Sequence, residues 1–563
     1  MNRPGTVPWP DEVARDYCAK GYWRNRPLGA YLWEWADRFR SRTAVVDGDH
    51  RLSYRELAER SDALAEGLAR SGVRKGDTIL VQLPNCWEFV VVLLACARLG
   101  AAPVLALMPH REHELSYLAE LAEVAAIVVR DEWRGYEHQQ LAATVAADTP
   151  SAATVMVVGD HVYPEHVDLR SLMRQADEVA ARKHRLDAAP PDPRDVLLFL
   201  LSGGTTGLPK VIARTHNDYE YNARRSGEVC EFHADTVYLA ALPIAHNFAL
   251  GSPGALATLM NGGMVVLLPS PEPRAAFAEI EREQVNVTSV VPAVAQRWLD
   301  ALPSASDDLA SLQVIQIGGS VLPDGMVRSL ITGFDCQVQQ VFGMAEGLLN
   351  YTRLHDPYDV VTETQGRPIC ADDELLVVDE QDSPLLPGTP GELLTRGPYT
   401  PRGYFAAPQH NARAFTADGW YRTGDIVRIT PEGNLSVTGR VKDQINRGGE
   451  KIAAVELEDL ARDLLPQVLD AAAVAQTHAE LGEAVCMCVV LRPGSELSLA
   501  ELQEAFERKG VARFKFPERL AIFSAFPQTA IGKIDKKQLR LSVDHLLDES
   551  FAADSPQTSR QAH

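Results

Sequence analysis

Residues Val196–Lys210, VLLFLLSGGTTGLPK, join a short apolar run to a loop of glycine and hydroxyl-bearing residues. The run Val196–Leu200 predicts a buried parallel strand. Glycines allow a tight turn and a close approach to a ligand, and hydroxyls, backbone N–H groups and a lysine suit phosphate oxygens. The stretch therefore predicts a strand followed by a phosphate-binding loop, the alternative being a flexible surface loop.

This loop differs from a Walker loop, because Leu208 and Pro209 separate its last glycine from the lysine. The residues that we expect to contact phosphate are Ser202, Gly203, Gly204, Thr205, Thr206, Gly207 and Lys210.

Further along the chain, apolar runs repeatedly end in a small or polar residue. The predicted strands are Val237–Leu242, Val285–Val291, Leu312–Ile317 and Val338–Phe342. In open α/β sheets, ligands bind outside the carboxyl ends of the strands. We expect these four ends and the phosphate loop to build one cleft, although any single glycine there could serve only to turn the chain.

The remaining pattern predicts an α/β protein of more than one domain. Ser53 and Glu56 form a capping box, Trp87–Leu99 is a buried helix, and Thr154–Val158 is a strand. We expect a large N-terminal domain of stacked α/β layers with several sheets and a small β subdomain. It is followed by a small α+β C-terminal domain.

Bulk composition excludes some classes of function. The formal net charge is −21 at pH 7, which argues against a nucleic-acid-binding protein. No apolar run is long enough to span a membrane, and Met1–Pro10 has no apolar core, so we expect neither a membrane segment nor a signal peptide. The eight cysteines lack metal-ligand spacing and indicate reduced thiols in a cytoplasmic protein.

Five further motifs follow in order, and together they carry a resemblance. They are AHNF at 245–248, FGMAEG at 342–347, YRTGD at 421–425, GRVKDQINRGGEK at 439–451 and PQTAIGK at 527–533. Their order and spacing resemble the adenylate-forming superfamily of acyl- and aryl-CoA synthetases, nonribosomal adenylation domains and luciferases. Within it, the chain is most similar to the stand-alone 2,3-dihydroxybenzoate–AMP and salicylate–AMP ligases of siderophore-type biosynthesis.

The resemblance implies ATP and Mg²⁺ as cofactors and assigns the reacting centre. Lys533 would bridge the carboxylate and the α-phosphate, the alternative being a solvated surface lysine. Glu346 would hold Mg²⁺, the alternative being a glutamate in the first turn of a helix. His246 would be a further catalytic residue.

The resemblance also assigns a nucleotide-binding set. Phe342 would lie beside adenine, Asp425 would accept hydrogen bonds from the ribose, and Arg440 would hold ribose or phosphate unless it forms an interdomain salt bridge. Where the superfamily more often has threonine, Ala345 lacks the hydroxyl. The other expected residues are Gly319, Ser320, Val341, Gly343 and Met344.

The aryl acid would bind in a pocket of apolar walls and a few polar groups. The resemblance implies that its lining includes Asn247, Phe248, Ser252, Gly318 and Leu348, and less directly Val341. In the family, Tyr and Ser at the positions of Phe248 and Ser252 accompany dihydroxybenzoate, whereas Phe and Cys accompany salicylate. This chain has one of each, so both acids stay open, with Ser252 favouring dihydroxybenzoate.

Three functions remain open on the sequence. The first is an aryl acid–AMP ligase that loads the phosphopantetheine thiol of an aryl carrier protein, the second an aryl-CoA ligase, and the third a non-catalytic binding protein. For the first, the resemblance implies a mobile C-terminal domain that turns about Lys442. We expect a core at 1–439, a hinge at 440–443, a lid at 444–540 and a disordered tail at 541–563.

Overall fold

The computed structural model describes residues 3–152, 154–173, 178–202, 208–319, 322, 324–447, 450–478, 482–509, 511, 513–529 and 533–543. Its strands in chain order are β1 (Thr43–Asp47), β2 (His50–Ser53), β3 (Thr78–Gln82), β4 (Ala102–Leu105), β5 (Ala126–Arg130), β6 (Glu132–Trp133), β7 (Tyr136–Glu137), β8 (Thr154–Val158), β9 (Val167–Asp168), β10 (Val196–Ser202), β11 (Lys210–Thr215), β12 (Val237–Ala240), β13 (Met264–Leu267), β14 (Val287–Val290), β15 (Val314–Gly318), β16 (Gln337–Met344), β17 (Gly347–Tyr351), β18 (Arg367–Pro368), β19 (Glu374–Val378), β20 (Gly391–Arg396), β21 (Tyr421–Ile429), β22 (Leu435–Arg440), β23 (Gln444–Arg447), β24 (Glu450–Ala453), β25 (Val468–His478), β26 (Gly482–Leu491) and β27 (Arg519–Phe523).

The helices in chain order are α1 (Asp11–Ala19), α2 (Leu32–Phe39), α3 (Tyr54–Arg70), α4 (Trp87–Leu99), α5 (Glu112–Leu121), α6 (His138–Asp148), α7 (Leu169–Leu172), α8 (Val179–Ala188), α9 (His216–Val229), α10 (Asn247–Gly251), α11 (Gly254–Met260), α12 (Pro273–Glu283), α13 (Pro292–Ala301), α14 (Asp324–Phe334), α15 (Tyr358–Glu363), α16 (Pro408–Ala414), α17 (Ala454–Leu464) and α18 (Leu499–Lys509). Short 3₁₀ turns cover Leu28–Tyr31, Leu302–Ser304, Val441–Asp443 and Arg513–Lys515.

Two large sheets carry the first part of the chain. One has the strand order β18-β17-β16-β15-β14-β12-β13-β1-β2 and the other β11-β10-β4-β3-β5-β8-β9. Helix α4, which is almost entirely buried, contacts β1 of the first sheet and β4 of the second. A helix that has no polar face is expected to be buried on all sides, and a position between two sheets provides this burial. The predicted stack of α/β layers is thus confirmed.

The predicted strand ends lie side by side in the nine-stranded sheet. Strands β12, β14, β15 and β16 are neighbours and run parallel, so their carboxyl ends share one edge. The strand before the phosphate loop belongs instead to the seven-stranded sheet. It pairs parallel with β4 but antiparallel with β11, so the prediction of a parallel strand holds on one side only.

Local signals explain several of the element boundaries. The Ser53 side chain caps α3 and the Glu56 carboxylate accepts from the Ser53 backbone, which confirms the predicted capping box. Helix α4 ends at Gly100, whose positive φ of 83° is the left-handed conformation typical of a helix C-terminus.

The chain divides into two compact units. The first comprises Met1–Leu376 with Leu394–Arg422, and the second comprises Val377–Leu393 with the chain from Thr423 onward. In the second, β23 to β27 form one sheet, and α17 packs against β25 and α18. A small four-stranded sheet has the order β19-β20-β21-β22, as the predicted β subdomain requires. The boundaries at 439 and 443 stay predictions.

Residues 541–543 are helical and Val543 is buried, whereas 544–563 lie outside the described residues. Among the described helices, none is long and apolar enough to cross a membrane.

Candidate active site

The predicted acid-binding residues lie on the short helix α10 and directly after it. The His246 side chain caps the helix, its Nδ1 accepting from the Phe248 N–H at 3.3 Å. Asn247 and Ser252 are buried and joined by a hydrogen bond, with Asn247 Nδ2 donating to Ser252 Oγ at 3.1 Å. Asn247 Nδ2 also lies 3.5 Å from the Met344 carbonyl oxygen. The helix therefore brings a polar pair against the end of β16.

The aromatic ring of Phe248 packs against the end of β15. A Cβ atom at Gly318 would approach the Phe248 ring to 3.2 Å and the Val341 carbonyl oxygen to 2.9 Å. Gly318 and Val341 are register partners in the parallel pair of β15 and β16. Only glycine fits between the ring and the strand, so the absence of a side chain at Gly318 lets the Phe248 ring pack directly against β15. Leu348 of β17 is fully buried.

Glu346 lies in the turn that joins β16 and β17, next to Ala345. The alternative of a glutamate in the first turn of a helix is therefore wrong, because β16 and β17 pair as an antiparallel hairpin. The Tyr404 hydroxyl donates to Glu346 Oε1 at 2.7 Å and lies 3.1 Å from the Tyr421 hydroxyl. Burial and the nearby Glu346 carboxylate raise the pKa of Tyr404, so the phenol keeps its proton.

The other residues predicted to bind the nucleotide in the first unit occupy the strands around this turn. Phe342, Gly343 and Met344 lie in β16, and Gly319 follows β15 with a φ of +99°. Ser320 lies outside the described residues.

The base of the predicted phosphate loop is a strand hairpin. Ser202 and Lys210 are register partners at the ends of β10 and β11. The Lys210 Nζ atom lies 5.1 Å from the centroid of the Tyr404 ring, on the tyrosine that contacts Glu346. Gly203, Gly204, Thr205, Thr206 and Gly207 lie outside the described residues. The two ends of the predicted loop, Ser202 and Lys210, therefore lie directly opposite each other.

The second unit contains the remaining predicted residues. Asp425 and Arg440 are register partners on β21 and β22, and Arg440 Nε donates to Asp425 Oδ1 at 2.6 Å. The Lys533 carbonyl oxygen accepts from the Thr529 N–H at 2.7 Å. Lys442 lies in the 3₁₀ turn after β22. Gly448 and Gly449 of the neighbouring motif lie outside the described residues.

A buried polar network next to the predicted acid-binding residues was not predicted from the sequence. Arg214 and Asp218 are both fully buried and paired, with Nε donating to Oδ1 at 2.6 Å. Arg214 also donates to the Ala345 carbonyl oxygen at 3.0 Å. The Tyr219 hydroxyl donates to Asn247 Oδ1 at 2.9 Å. The capping box of Thr215 and Asp218 at the start of α9 is the one local sequence signal for this network.

The contact of Tyr404 with Glu346 was also not predicted from the sequence. Tyr404 lies more than fifty residues beyond Glu346 in the chain, and no local pattern marks the contact between them. Nor do His, Cys, Asp and Glu side chains in the described residues assemble a group of three that could hold a metal ion.

The two-sheet fold fits the class that the motifs predict, the adenylate-forming enzymes. The chain belongs to the family of AMP-binding enzymes, whose family pattern matches residues 32–405. The pattern of the AMP-binding enzyme C-terminal domain matches residues 462–533. Enzymes of this family use ATP, so ATP is the nucleotide substrate.

Three similar proteins span nearly the whole chain. A salicylyl-CoA synthase / salicylate adenylyltransferase of a Streptomyces species is 55% identical over 96% of this chain and 98% of its own length. A 2,3-dihydroxybenzoate-AMP ligase of Bacillus subtilis is 46% identical over 97% of this chain and 99% of its own. The apo structure of Mycobacterium smegmatis MbtA, 44% identical, covers 95% of this chain and 98% of its own, with a TM-score of 0.73.

Proposed function

We propose that this protein is an aryl acid–AMP ligase that activates a 2-hydroxybenzoate-type acid. The acid and ATP give aryl-AMP and pyrophosphate, and the aryl group then passes to the phosphopantetheine thiol of a carrier protein. The observation that carries the proposal is the buried pair of Asn247 and Ser252 beside the wall of Phe248 and Gly318. A flat ring with one or two polar substituents matches such a lining. The names of the similar proteins point to the same class of acid.

Mg²⁺ fits the residues around Glu346. A magnesium ion is commonly bound by one or two carboxylates and by substrate phosphates rather than by a full protein cage. Glu346 supplies one carboxylate, and Tyr404 fixes it through Oε1. The bound ion would neutralise charge on the phosphates of ATP. Lys210, over the Tyr404 ring, adds positive charge on the same side.

Attack of a carboxylate on the α-phosphorus brings two anions together, so the protein must supply positive charge there. We assign this role to Lys533. Asp425 would bind the ribose hydroxyls and Arg440 the ribose or a phosphate, and their mutual ion pair would hold both side chains ready. His246 would orient the acid from the N-terminus of α10.

Free coenzyme A is the second candidate acceptor, because the name of the 55% identical protein includes a CoA synthase. The test is to supply ATP, Mg²⁺ and an aryl acid with either a phosphopantetheinylated aryl carrier protein or CoA, and to measure thioester by mass spectrometry. Thioester on the carrier at the higher kcat/KM supports the proposal. Preference for CoA would make the protein an aryl-CoA ligase, and no thioester on either thiol would refute the transfer step.

We also propose a cytoplasmic location, since all eight cysteines are free thiols, as a reducing compartment favours.

A further inference from the structure

The acid pocket is backed by a directed chain of hydrogen bonds. The Tyr219 hydroxyl donates to Asn247 Oδ1 at 2.9 Å, and Asn247 Nδ2 donates to Ser252 Oγ at 3.1 Å. The exposed fractions of Tyr219, Asn247 and Ser252 are 0%, 4% and 1%. Burial raises the pKa of Tyr219 above its usual value, so its phenol stays protonated and acts as the donor.

This series of hydrogen bonds fixes the orientation of each polar group. An amide accepts only through its oxygen and donates only through its nitrogen, so the Tyr219 proton turns the Asn247 nitrogen toward Ser252. Because Ser252 Oγ accepts from that nitrogen, the proton of Ser252 is left to be donated. Among the described residues, no protein group accepts this Ser252 proton. A buried donor without an acceptor destabilises the complex in which it stays unpaired.

We propose that Tyr219 is a positioning residue that sets the choice of acid: its hydroxyl fixes the Asn247 amide, and the amide makes Ser252 a donor to a ring oxygen of the substrate. An aryl acid with an oxygen substituent facing Ser252 accepts this proton, whereas one with hydrogen there leaves it unpaired. The inference rests on the proposed function, because it takes the acid to lie against Ser252.

The ring of Tyr219 is held independently of its hydroxyl. The Arg214 guanidinium lies 4.9 Å from the ring centroid. A Cβ atom at Gly251 would come within 2.8 Å of the Tyr219 ring carbon Cζ, so this glycine packs directly against the ring. The substitution Tyr219→Phe therefore removes one hydrogen bond and retains the packing of the ring.

The test compares 2,3-dihydroxybenzoate with salicylate in ATP–pyrophosphate exchange. Wild type, Tyr219→Phe, Ser252→Ala and the double variant are measured, and the quantity compared is the ratio of kcat/KM for the two acids. We expect Tyr219→Phe to lower this ratio about five- to tenfold, which is the effect of losing one neutral hydrogen bond. The KM for ATP should stay unchanged. In the Ser252→Ala background, Tyr219→Phe should change the ratio less than about twofold.

Tyr54→Phe is the matched control, because the buried Tyr54 hydroxyl donates to the Gly263 carbonyl oxygen at 2.7 Å and is not part of the hydrogen-bond chain of Tyr219, Asn247 and Ser252. It should lower Tm without altering the ratio. If Tyr219→Phe does not fold, Asn247→Asp replaces it: a carboxylate cannot donate to Ser252, so the ratio should again fall.

Two results overturn the inference alone: an unchanged ratio in Tyr219→Phe, or an equal change of ratio with and without Ser252. Absence of exchange by the wild type with every aryl acid overturns the proposed function and the inference together.

Discussion

At the scale of single residues, Phe248 and Ser252 set the chemistry of the pocket in different ways. The Phe248 ring closes an apolar wall against Gly318. Ser252 brings a buried hydroxyl to the same site. An apolar pocket alone rejects an added hydroxyl only weakly, whereas a dedicated partner discriminates more strongly. We therefore propose that the choice between dihydroxybenzoate and salicylate depends on Ser252.

Ser252→Cys should shift the preference from 2,3-dihydroxybenzoate toward salicylate, because a thiol is a much weaker hydrogen-bond partner than a hydroxyl. The expected change in relative transition-state stabilisation is about 1–2 kcal/mol. The measurement is the ratio of kcat/KM for the two acids. Ser61→Cys, at a buried serine whose hydroxyl donates to the Leu57 carbonyl oxygen within α3, is the control. An unchanged ratio would mean that Ser252 does not contact the 3-position.

Glu346→Gln should raise the Mg²⁺ concentration needed for half-maximal exchange by about tenfold or more, because an amide is a poorer magnesium ligand than a carboxylate. The amide oxygen can still accept from the Tyr404 hydroxyl, so Tm should stay close to that of the wild type. A magnesium titration of the exchange rate, with the Tm of both proteins, checks this. Identical titration curves would contradict the assignment of Glu346 to the metal.

At the scale of helices and strands, the sequence predicted local patterns and the parallel neighbours of the nine-stranded sheet, but not the antiparallel partner of β10. Hydrophobic patterning gave α4 and β8 with the bounds that the structure has. Strand β10 extends two residues beyond its predicted end because it continues in a hairpin with β11, a partner that periodicity cannot reveal. The turn of Glu346 was open to a helical interpretation for the same reason.

The buried network of Arg214 and Tyr219 shows a second limit. Its members are close in sequence, but their partners Ala345 and Asn247 come from other parts of the chain. Charged and polar residues on a helix usually face solvent, so composition alone favours an exposed face for α9. The packing of α9 against α10, α11, β10 and β11 buries these groups.

An element-scale prediction concerns Asp373, just before β19. Burial raises the pKa of its carboxyl from 3.8 to about 8, although the Tyr399 hydroxyl donates to it at 2.6 Å. The folded protein therefore keeps this proton up to about pH 8, whereas the unfolded chain loses it near pH 4. The stabilisation is complete below the lower pKa and is lost as the pH rises through the higher one.

Asp373→Asn removes this titration. The stability of the wild type relative to the variant should fall between pH 5 and pH 8, by at most about 1.4 kcal/mol per pH unit. Denaturation midpoints of both proteins across this range test the sign. Asp49→Asn, at an exposed carboxylate, is the control and should give a profile parallel to the wild type. Parallel profiles for Asp373→Asn as well would contradict a raised pKa.

At the scale of the whole molecule, the chain must perform two successive half-reactions. The family pattern of the core covers residues 32–405 and that of the C-terminal domain covers 462–533, with Lys533 at its end. Conformational steps between chemical steps are common where one group serves only the first of them. We propose that Lys533 serves adenylation and that Lys442 is the hinge at which the backbone turns before thioester formation.

Lys533→Ala should reduce adenylation by several orders of magnitude and leave transfer from supplied aryl-adenylate to the carrier thiol largely intact, because the lysine charge is needed only where two anions meet. Single-turnover assays of each half-reaction measure this. Lys537→Ala, an exposed lysine on the following helical turn, is the control. Equal damage to both halves would mean that Lys533 is structural or shared.

Lys442→Pro should have the opposite pattern. Proline fixes φ near −65° and so restricts the torsion on which a hinge depends. Thioester formation should fall more than pyrophosphate exchange in the same single-turnover assays. A larger loss of exchange than of transfer would place the hinge elsewhere.

The central claim is that the pocket of Asn247, Phe248 and Ser252 activates an aryl acid. Its most direct test is ATP–pyrophosphate exchange by the wild-type protein with a panel of acids: 2,3-dihydroxybenzoate, salicylate, benzoate, amino acids and long-chain fatty acids. We predict exchange that depends on Mg²⁺ and on a 2-hydroxylated benzoate, with benzoate at least about tenfold weaker in kcat/KM for want of the ortho hydroxyl. Exchange supported only by fatty acids or amino acids would contradict the account.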